Sequence, residues 1–159
     1  MKIIKADLRQ QQHAKDYVKL MSLYACDPMG GGQDLSQSVK ENLPAALASR
    51  PNIVVFLAYT EAEQPVGLAT AIEGFSTFAC KPLLNIHDVI VDPHFRGQNI
   101  AGSLLSAVQE EAQLRGCCKL TLEVLQKNAP AQKAYRHFGF APYGLDPTMG
   151  TAEFWEKTL

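Results

Sequence analysis

The period of the apolar positions changes several times along this chain, and each change marks an element. Lys2–Leu8 (KIIKADL) alternates and predicts a strand. Over Gln11–Ala25 the spacing turns helical, with Tyr17, Leu20, Met21 and Tyr24 on one stripe. Asp27-Pro28-Met29-Gly30-Gly31-Gly32 stops that helix. Ser36–Ala48 predicts a second helix, with Ser36 or Ser38 as N-cap and Pro44 as a kink. Asn52–Tyr59 is an unbroken apolar run of strand length, which predicts a strand buried on both faces. Across the turn Glu61–Pro65, Val66–Glu73 is its hairpin partner, and Asn85–Val91 is the next strand. From Gln98 onward Ile100, Ala101, Leu104, Leu105 and Val108 share a helical face that ends at Arg115-Gly116. Lys119–Leu125 alternates as a strand. Asn128-Ala129-Pro130-Ala131 opens a last helix, which carries Ala134, Tyr135 and Phe138 and stops at Gly139. Phe140–Tyr143 and Thr151–Lys157 read as two final strands. The order β-α-α-β-β-β-α-β-α-β-β predicts one α/β domain with a mixed sheet over residues 1–159.

Composition narrows the partners. A net charge of −1 supplies no field for a polyanion, so nucleic acid is not expected as a partner. Hydrophobic content of 47% with 19% charged residues describes an ordinary globular chain. No apolar run reaches membrane-spanning length, and MKIIKADLRQQQ lacks the apolar stretch of a signal peptide. Cys26, Cys80, Cys117 and Cys118 form no CxxC pair and suggest neither zinc nor a disulfide framework. Reduced thiols in a cytoplasmic protein, without membrane or metal, are the expectation.

Chemistry concentrates between Asp88 and Leu105 (DVIVDPHFRGQNIAGSLL). A β-rich run, Val89-Ile90-Val91, breaks at Asp92-Pro93 and passes through Arg96-Gly97-Gln98-Asn99 into a helix. A strand that turns into a helix N-terminus holds anions, because the first helical N–H groups lack partners and lie at the positive end of the dipole. Gly97, Ala101 and Gly102 let a phosphate approach the backbone, and Asn99 is suited to a left-handed conformation. A Walker loop has no match here, and the dinucleotide fingerprint fails at its second glycine.

The segment Arg96-Gly97-Gln98-Asn99-Ile100-Ala101 resembles the acyl-CoA pyrophosphate loop of the GNAT acetyltransferases, with Asn99 in place of the usual glycine. A second signature of that family stands at Asn128, Ala131, Tyr135, Gly139 and Phe140, behind Glu123-Val124. The order of elements is similar as well, so the resemblance covers the chain from about Lys2 to Leu159. It implies the acyl-CoA N-acyltransferase fold, a mostly antiparallel sheet whose two parallel strands splay to admit acetyl-CoA. Val89, Ile90 and Val91 would grip the pantetheine arm as an added strand does, with Asn128, Ala131 and Tyr135 facing it. Residues Arg96 to Gly102 would hold the pyrophosphate. The implied activity is acetyl transfer to a primary amine of a small molecule by direct attack, without a covalent enzyme intermediate. A protein or peptide amine is the alternative acceptor, and a non-catalytic acyl-CoA sensor acting on a partner protein is the alternative function.

Such a transfer needs a proton removed from the amine and one supplied to the leaving sulfur. Tyr135 is the expected acid; its other reading is a core aromatic with a locally bonded hydroxyl. His87, nine residues before Arg96, is the expected base, and its other reading is a strand histidine bonded to a carbonyl. Glu123 is the next candidate, with a structural salt bridge as its alternative. Strand alternation puts Asp88 on the face opposite His87 and makes it a poorer partner. For the acceptor pocket we expect Tyr24, Asp27, Glu73, Phe75 and Phe78, with Phe154-Trp155 contributing; alternatively these aromatics close the edge of the core. The glycine run at 30–32 reads as a mobile loop over that pocket, as a second anion-contacting nest, or as a plain connector. Pairing of the C-terminal strands across a two-fold axis would make a homodimer.

Overall fold

The computed structural model describes residues 1–144, 146, 148, 150 and 152–159. Strands β1 (Lys2–Lys5), β2 (Ile53–Tyr59), β3 (Pro65–Ser76), β4 (Lys81–Val91) and β5 (Leu120–Leu122) form one sheet, ordered β1-β2-β3-β4-β5. Neighbours from β1 to β4 run antiparallel, and β5 joins β4 in parallel. The helices are α1 (Gln11–Cys26), α2 (Gln37–Ala48), α3 (Ile100–Leu114) and α4 (Ala129–Phe138).

Two apolar layers enclose the sheet. On one face Tyr17 and Leu20 of α1 meet Leu57, Leu68 and Ile90. On the other Ile100, Leu104, Leu105 and Val108 of α3 meet Val54, Phe56, Ala69, Leu84 and Ile86. β2 serves both layers, which explains its unbroken apolar sequence. The local signals for caps act as expected. The Ser36 hydroxyl accepts from the Val39 N–H, the Asn128 side chain accepts from the Ala131 N–H, and Gly139 closes α4 at φ 106°. Arg50 and Arg9 donate to the carbonyls of Ala46 and Ala48 at the C-terminal end of α2.

The ladder between β3 and β4 contains one irregularity. Thr70 lies opposite Asp88 and Ala71 opposite Ile86, which leaves His87 as an extra residue in β4. The bulge changes which face each later residue serves. Leu84 and Ile86 lie in the α3 layer, Val89 and Val91 pack against that same layer, and Ile90 belongs to the α1 layer. The even positions before the bulge and the odd positions after it therefore share one face.

β5 is shorter than its apolar pattern. It pairs only as Leu84↔Leu120, Asn85↔Thr121 and Ile86↔Leu122, so β4 runs on from His87 to Val91 with no partner on that side. Glu123 thus follows β5 instead of lying on it. The two final strands are a correction. Phe140–Tyr143 is not a strand, nor are residues 152–157, and Thr151 lies outside the described residues. A strand needs a ladder partner, and these residues have none among the described residues. Phe154 and Trp155 are accordingly about four-fifths exposed, at 79% and 82%. The dimer expected through those strands has none to rest on among the described residues. No described helix is long and apolar enough to cross a membrane.

The α3 layer carries the fold's main hydrophobic contact, and Leu104 at its centre is fully buried. Leu104→Ala is expected to lower unfolding free energy by about 2–5 kcal/mol in urea titration, from lost transfer energy plus a residual cavity.

Candidate functional site

The strand-to-helix connection after β4 is a cradle of unpaired donors. A short 3-10 turn, Pro93–Phe95, leads to Arg96. Gly97 follows at φ 81°, then Asn99 at φ 58° and ψ 23°. Asn99 therefore takes the left-handed conformation that glycine would otherwise supply. Its side chain makes no cap hydrogen bond, and it folds over the first turn of α3. A Cβ at Gly102 would lie only 2.4 Å from Asn99 Oδ1, so residue 102 must be glycine while Asn99 sits there. None of the backbone N–H groups of residues 97–102 donates to a protein acceptor among the described residues. A run of orphan donors at the start of a 15-residue helix fits a phosphate-type anion.

The unpartnered part of β4 supplies a second feature. The Asp92 N–H points inward to Val66 O, and the Ile90 carbonyl faces Gly67. By strand alternation the amide groups of Val89 and Val91 point outward, into the gap that β5 leaves. One of them is used: the Val91 carbonyl accepts from Arg96 Nε at 3.2 Å. The rest offer an extended amide chain the partners that a neighbouring strand would give.

Arg96 also joins the connection to α1. Its Nη2 meets Asp27 Oδ2 at 3.1 Å. The other Asp27 oxygen accepts from the Met29 N–H at 2.9 Å. These two donors, Met29 first, hold the Asp27 carboxyl below the usual aspartate range.

On α4, Tyr135 packs against the α3 layer. Its ring is edge-on to Phe140, with centroids 6.0 Å apart. Burial, with a smaller contribution from Tyr24, pushes its hydroxyl up to about 12. A phenol is neutral at pH 7 and can give a proton to a nearby thiolate, although burial makes it the weaker acid. Asn128 caps α4 through Oδ1 at 3.3 Å from the Ala131 N–H, which leaves its amide hydrogens for a ligand. Ala131 is half-buried beside it.

The bulge overturns the alternation argument about Asp88. His87 and Asp88 share the α1 face of the sheet. Asp88 stands opposite Thr70, whose hydroxyl bonds to Tyr17 Oη at 3.1 Å. Burial raises the Asp88 carboxyl above the aspartate range; the His87 charge and the Thr70 hydroxyl act the other way without offsetting it. Tyr24 faces the same group, and its hydroxyl is raised by burial and then by the charges of Asp88 and Asp27. Glu123 reaches this face as well, accepting from Asn85 Nδ2 at 3.3 Å. Sequence reasoning passed over Asp88. The signal that could have found it was the phase shift between Leu84/Ile86 and Val89/Val91.

The other residues expected in the acceptor pocket lie elsewhere. Glu73 bonds Arg115 Nη1 at 2.8 Å in a cluster with Glu111 and Lys5. That cluster sits at the C-terminal end of α3, one helix length (about 22 Å at 1.5 Å per residue) from the anion cradle. Phe75 and Phe78 are exposed near the end of the β3–β4 hairpin, at 60% and 105%. The structure therefore brings Tyr24, Asp27, His87 and Asp88 near one another, puts Glu123 beside Asn85, and leaves Glu73, Phe75 and Phe78 apart. No cluster of three or more His, Cys, Asp or Glu suited to a metal occurs among the described residues.

Comparison with known proteins bears on the family and the fold. A family model described as "Acetyltransferase (GNAT) family" matches residues 17–140. Streptothricin acetyltransferase of Streptomyces lavendulae is 39% identical over 99 residues, covering 59% of this chain and 52% of that protein. A ribosomal protein bS18-alanine N-acetyltransferase of Haemophilus ducreyi is 37% identical over 87 residues, covering 53% and 54%. The chain spans about half the length of these curated relatives. An aminoglycoside acetyltransferase from an uncultured soil metagenomic sample, solved with trehalose, shares the fold at TM-score 0.79 and 21% identity, covering 99% of this chain and 96% of that one.

The raised Asp88 carboxyl carries a stability prediction. An acid whose folded pKa lies above its unfolded value adds stability that is complete below the unfolded pKa and lost as pH rises through the folded one. Asp88→Asn removes that loss. Its melting temperature relative to wild type should therefore rise with pH over a window that opens at the ordinary aspartate pKa, about 4. Parallel thermal melts check this, and a constant difference across the window would contradict the burial of a charge at Asp88.

Proposed function

The chain belongs to the GNAT acetyltransferase family, and from that premise we propose that it moves an acetyl group from acetyl-CoA to a primary amine of a small molecule. The observation that carries the reading is the run of free N–H groups at 97–102, set at the end of a strand edge with no partner. Together they match a pyrophosphate followed by an amide-bearing arm. The backbone of 97–102, from Gly97 and Gln98 through Asn99 and Ile100 to Ala101 and Gly102, would hold the pyrophosphate. Val89 and Val91, flanking Ile90, would pair with the arm, and Asn128 and Ala131 would line its far side. Acetyl-CoA supplies the thioester.

The chain's own groups account for the protons. A new C–N bond forms as the C–S bond breaks. The proton leaving the amine goes to His87 or Asp88, which share one face, directly or through water. Glu123, bonded to Asn85 two residues before His87, is the next candidate. Tyr135 gives a proton to the departing sulfur, and solvent restores it. The outward N–H of Val89 or Val91 would stabilise the carbonyl oxygen as charge develops. No nucleophile is needed, so attack is direct within a ternary complex. An acceptor that arrives as a cation with an apolar body suits the acidic and aromatic lining of Tyr24, Asp88 and Glu123. The curated relatives are named for streptothricin and for a protein alanine, so a peptide amine is the second acceptor class to test.

The test is release of coenzyme A from acetyl-CoA across a panel of small amines and peptide N-termini. Turnover on a small amine is expected, and turnover confined to peptides would replace the small-molecule reading. Tyr135→Phe should lower kcat by at least about 100-fold while leaving coenzyme A affinity within a few-fold. Unchanged kcat would remove Tyr135 from the chemistry. His87→Ala and Asp88→Asn, compared by pH–rate profile, identify the base as the variant that loses the acidic limb. An unaltered profile in both would assign the role to Glu123 or water. Tight coenzyme A binding without turnover on any amine would favour the sensor reading.

A further inference from the structure

The turn after α1 is closed on itself by its own hydrogen bonds. The Asp27 and Gly30 N–H groups bond Tyr24 O and Asp27 O, Gly32 N–H also reaches Asp27 O, and Gln33 N–H returns to Ala25 O. A Cβ at Gly30 would collide with the Tyr24 carbonyl, so the turn packs directly on the residue that lines the acceptor face. Gly31 and Gly32 then leave the turn at φ 115° and 73°. Among the described side-chain hydrogen bonds and ion pairs, the connection from this turn to the anion cradle is the Asp27–Arg96 pair. Arg96 is anchored on its other side by Val91 O. It keeps its second terminal nitrogen free, so one planar fork can face a carboxylate and a phosphate together.

Resting on the cofactor reading above, we propose that Asp27 is a positioning residue that couples the two halves of the site through Arg96. With a phosphate on the cradle, the Arg96 fork bridges it to Asp27. The turn 27–33 then loses freedom, and Tyr24 is fixed against the acceptor face. Cofactor binding thereby prepares the acceptor subsite, and the coupling is reciprocal. The charge pair does this and the turn's own bonds do not, because those bonds close within residues 24–33.

Amide hydrogen exchange of the full chain with and without coenzyme A tests the proposal without any acceptor. In wild type, saturating coenzyme A should slow exchange of the 97–102 amides and also of the 27–33 amides, the latter by at least about fivefold. Asp27→Asn keeps an oxygen for the Met29 N–H and removes the charge. It should retain protection at 97–102 and lose it at 27–33. Arg96→Lys keeps the charge without the fork and should lose protection at 27–33 as well. Exchange at 27–33 that ignores coenzyme A in wild type, that speeds up, or that slows equally in Asp27→Asn would overturn the proposal. Absence of protection at 97–102 in wild type would overturn the cofactor reading itself, and the proposal with it.

Discussion

β4 holds one residue more than its ladder with β3 can pair, and the arrangement of the site depends on that excess. A bulge bends the strand and strengthens its twist. Here the bend comes where β5 stops pairing, so the strand edge from His87 to Val91 stands open. The open edge leads straight into the unpaired N–H groups of residues 97–102. His87 and Asp88 come to one face because of the same excess, with α1 above them. The shared face of His87 and Asp88 is thus a consequence of a single local feature.

The excess residue is unnecessary to the core. Leu84, Ile86, Val89 and Val91 all serve the α3 layer, while Ile90 serves the α1 layer. Without residue 87 the same side chains would alternate regularly. The strand therefore carries a site-forming irregularity that its hydrophobic packing does not require. Asp88 shows the energetic consequence, since a carboxyl whose charged form is disfavoured by burial is retained beside Thr70 and Tyr24.

Local chemistry was legible along most of the chain. The helical stripes of α1 and α3, the buried run of β2, the Asn128 cap and the left-handed Asn99 each follow from residues within a few positions of one another. Non-local pairing was harder to read. The alternating pattern of Lys119–Leu125 predicts seven strand residues, but only those with a β4 partner form one, Leu120–Leu122. Glu73 reads as a free acid in sequence and is engaged by Arg115, 42 positions away. Strand alternation placed Asp88 on the wrong face because periodicity assumes a regular ladder, and one extra residue inverts every later assignment. The anion loop was visible because it is contiguous; the acceptor face was obscured because it combines α1, the bulge and the end of β5.

If coenzyme A binds as proposed above, the bulge serves ligand binding and not the fold. The most direct test is deletion of His87, followed by calorimetric titration with coenzyme A and a thermal melt beside wild type. The deletion should leave a folded protein with a melting temperature near that of wild type, a regular β4, and coenzyme A affinity lowered by at least about tenfold, or 1.4 kcal/mol. A deletion variant that binds coenzyme A as wild type does, or that fails to fold, would contradict this role for the bulge.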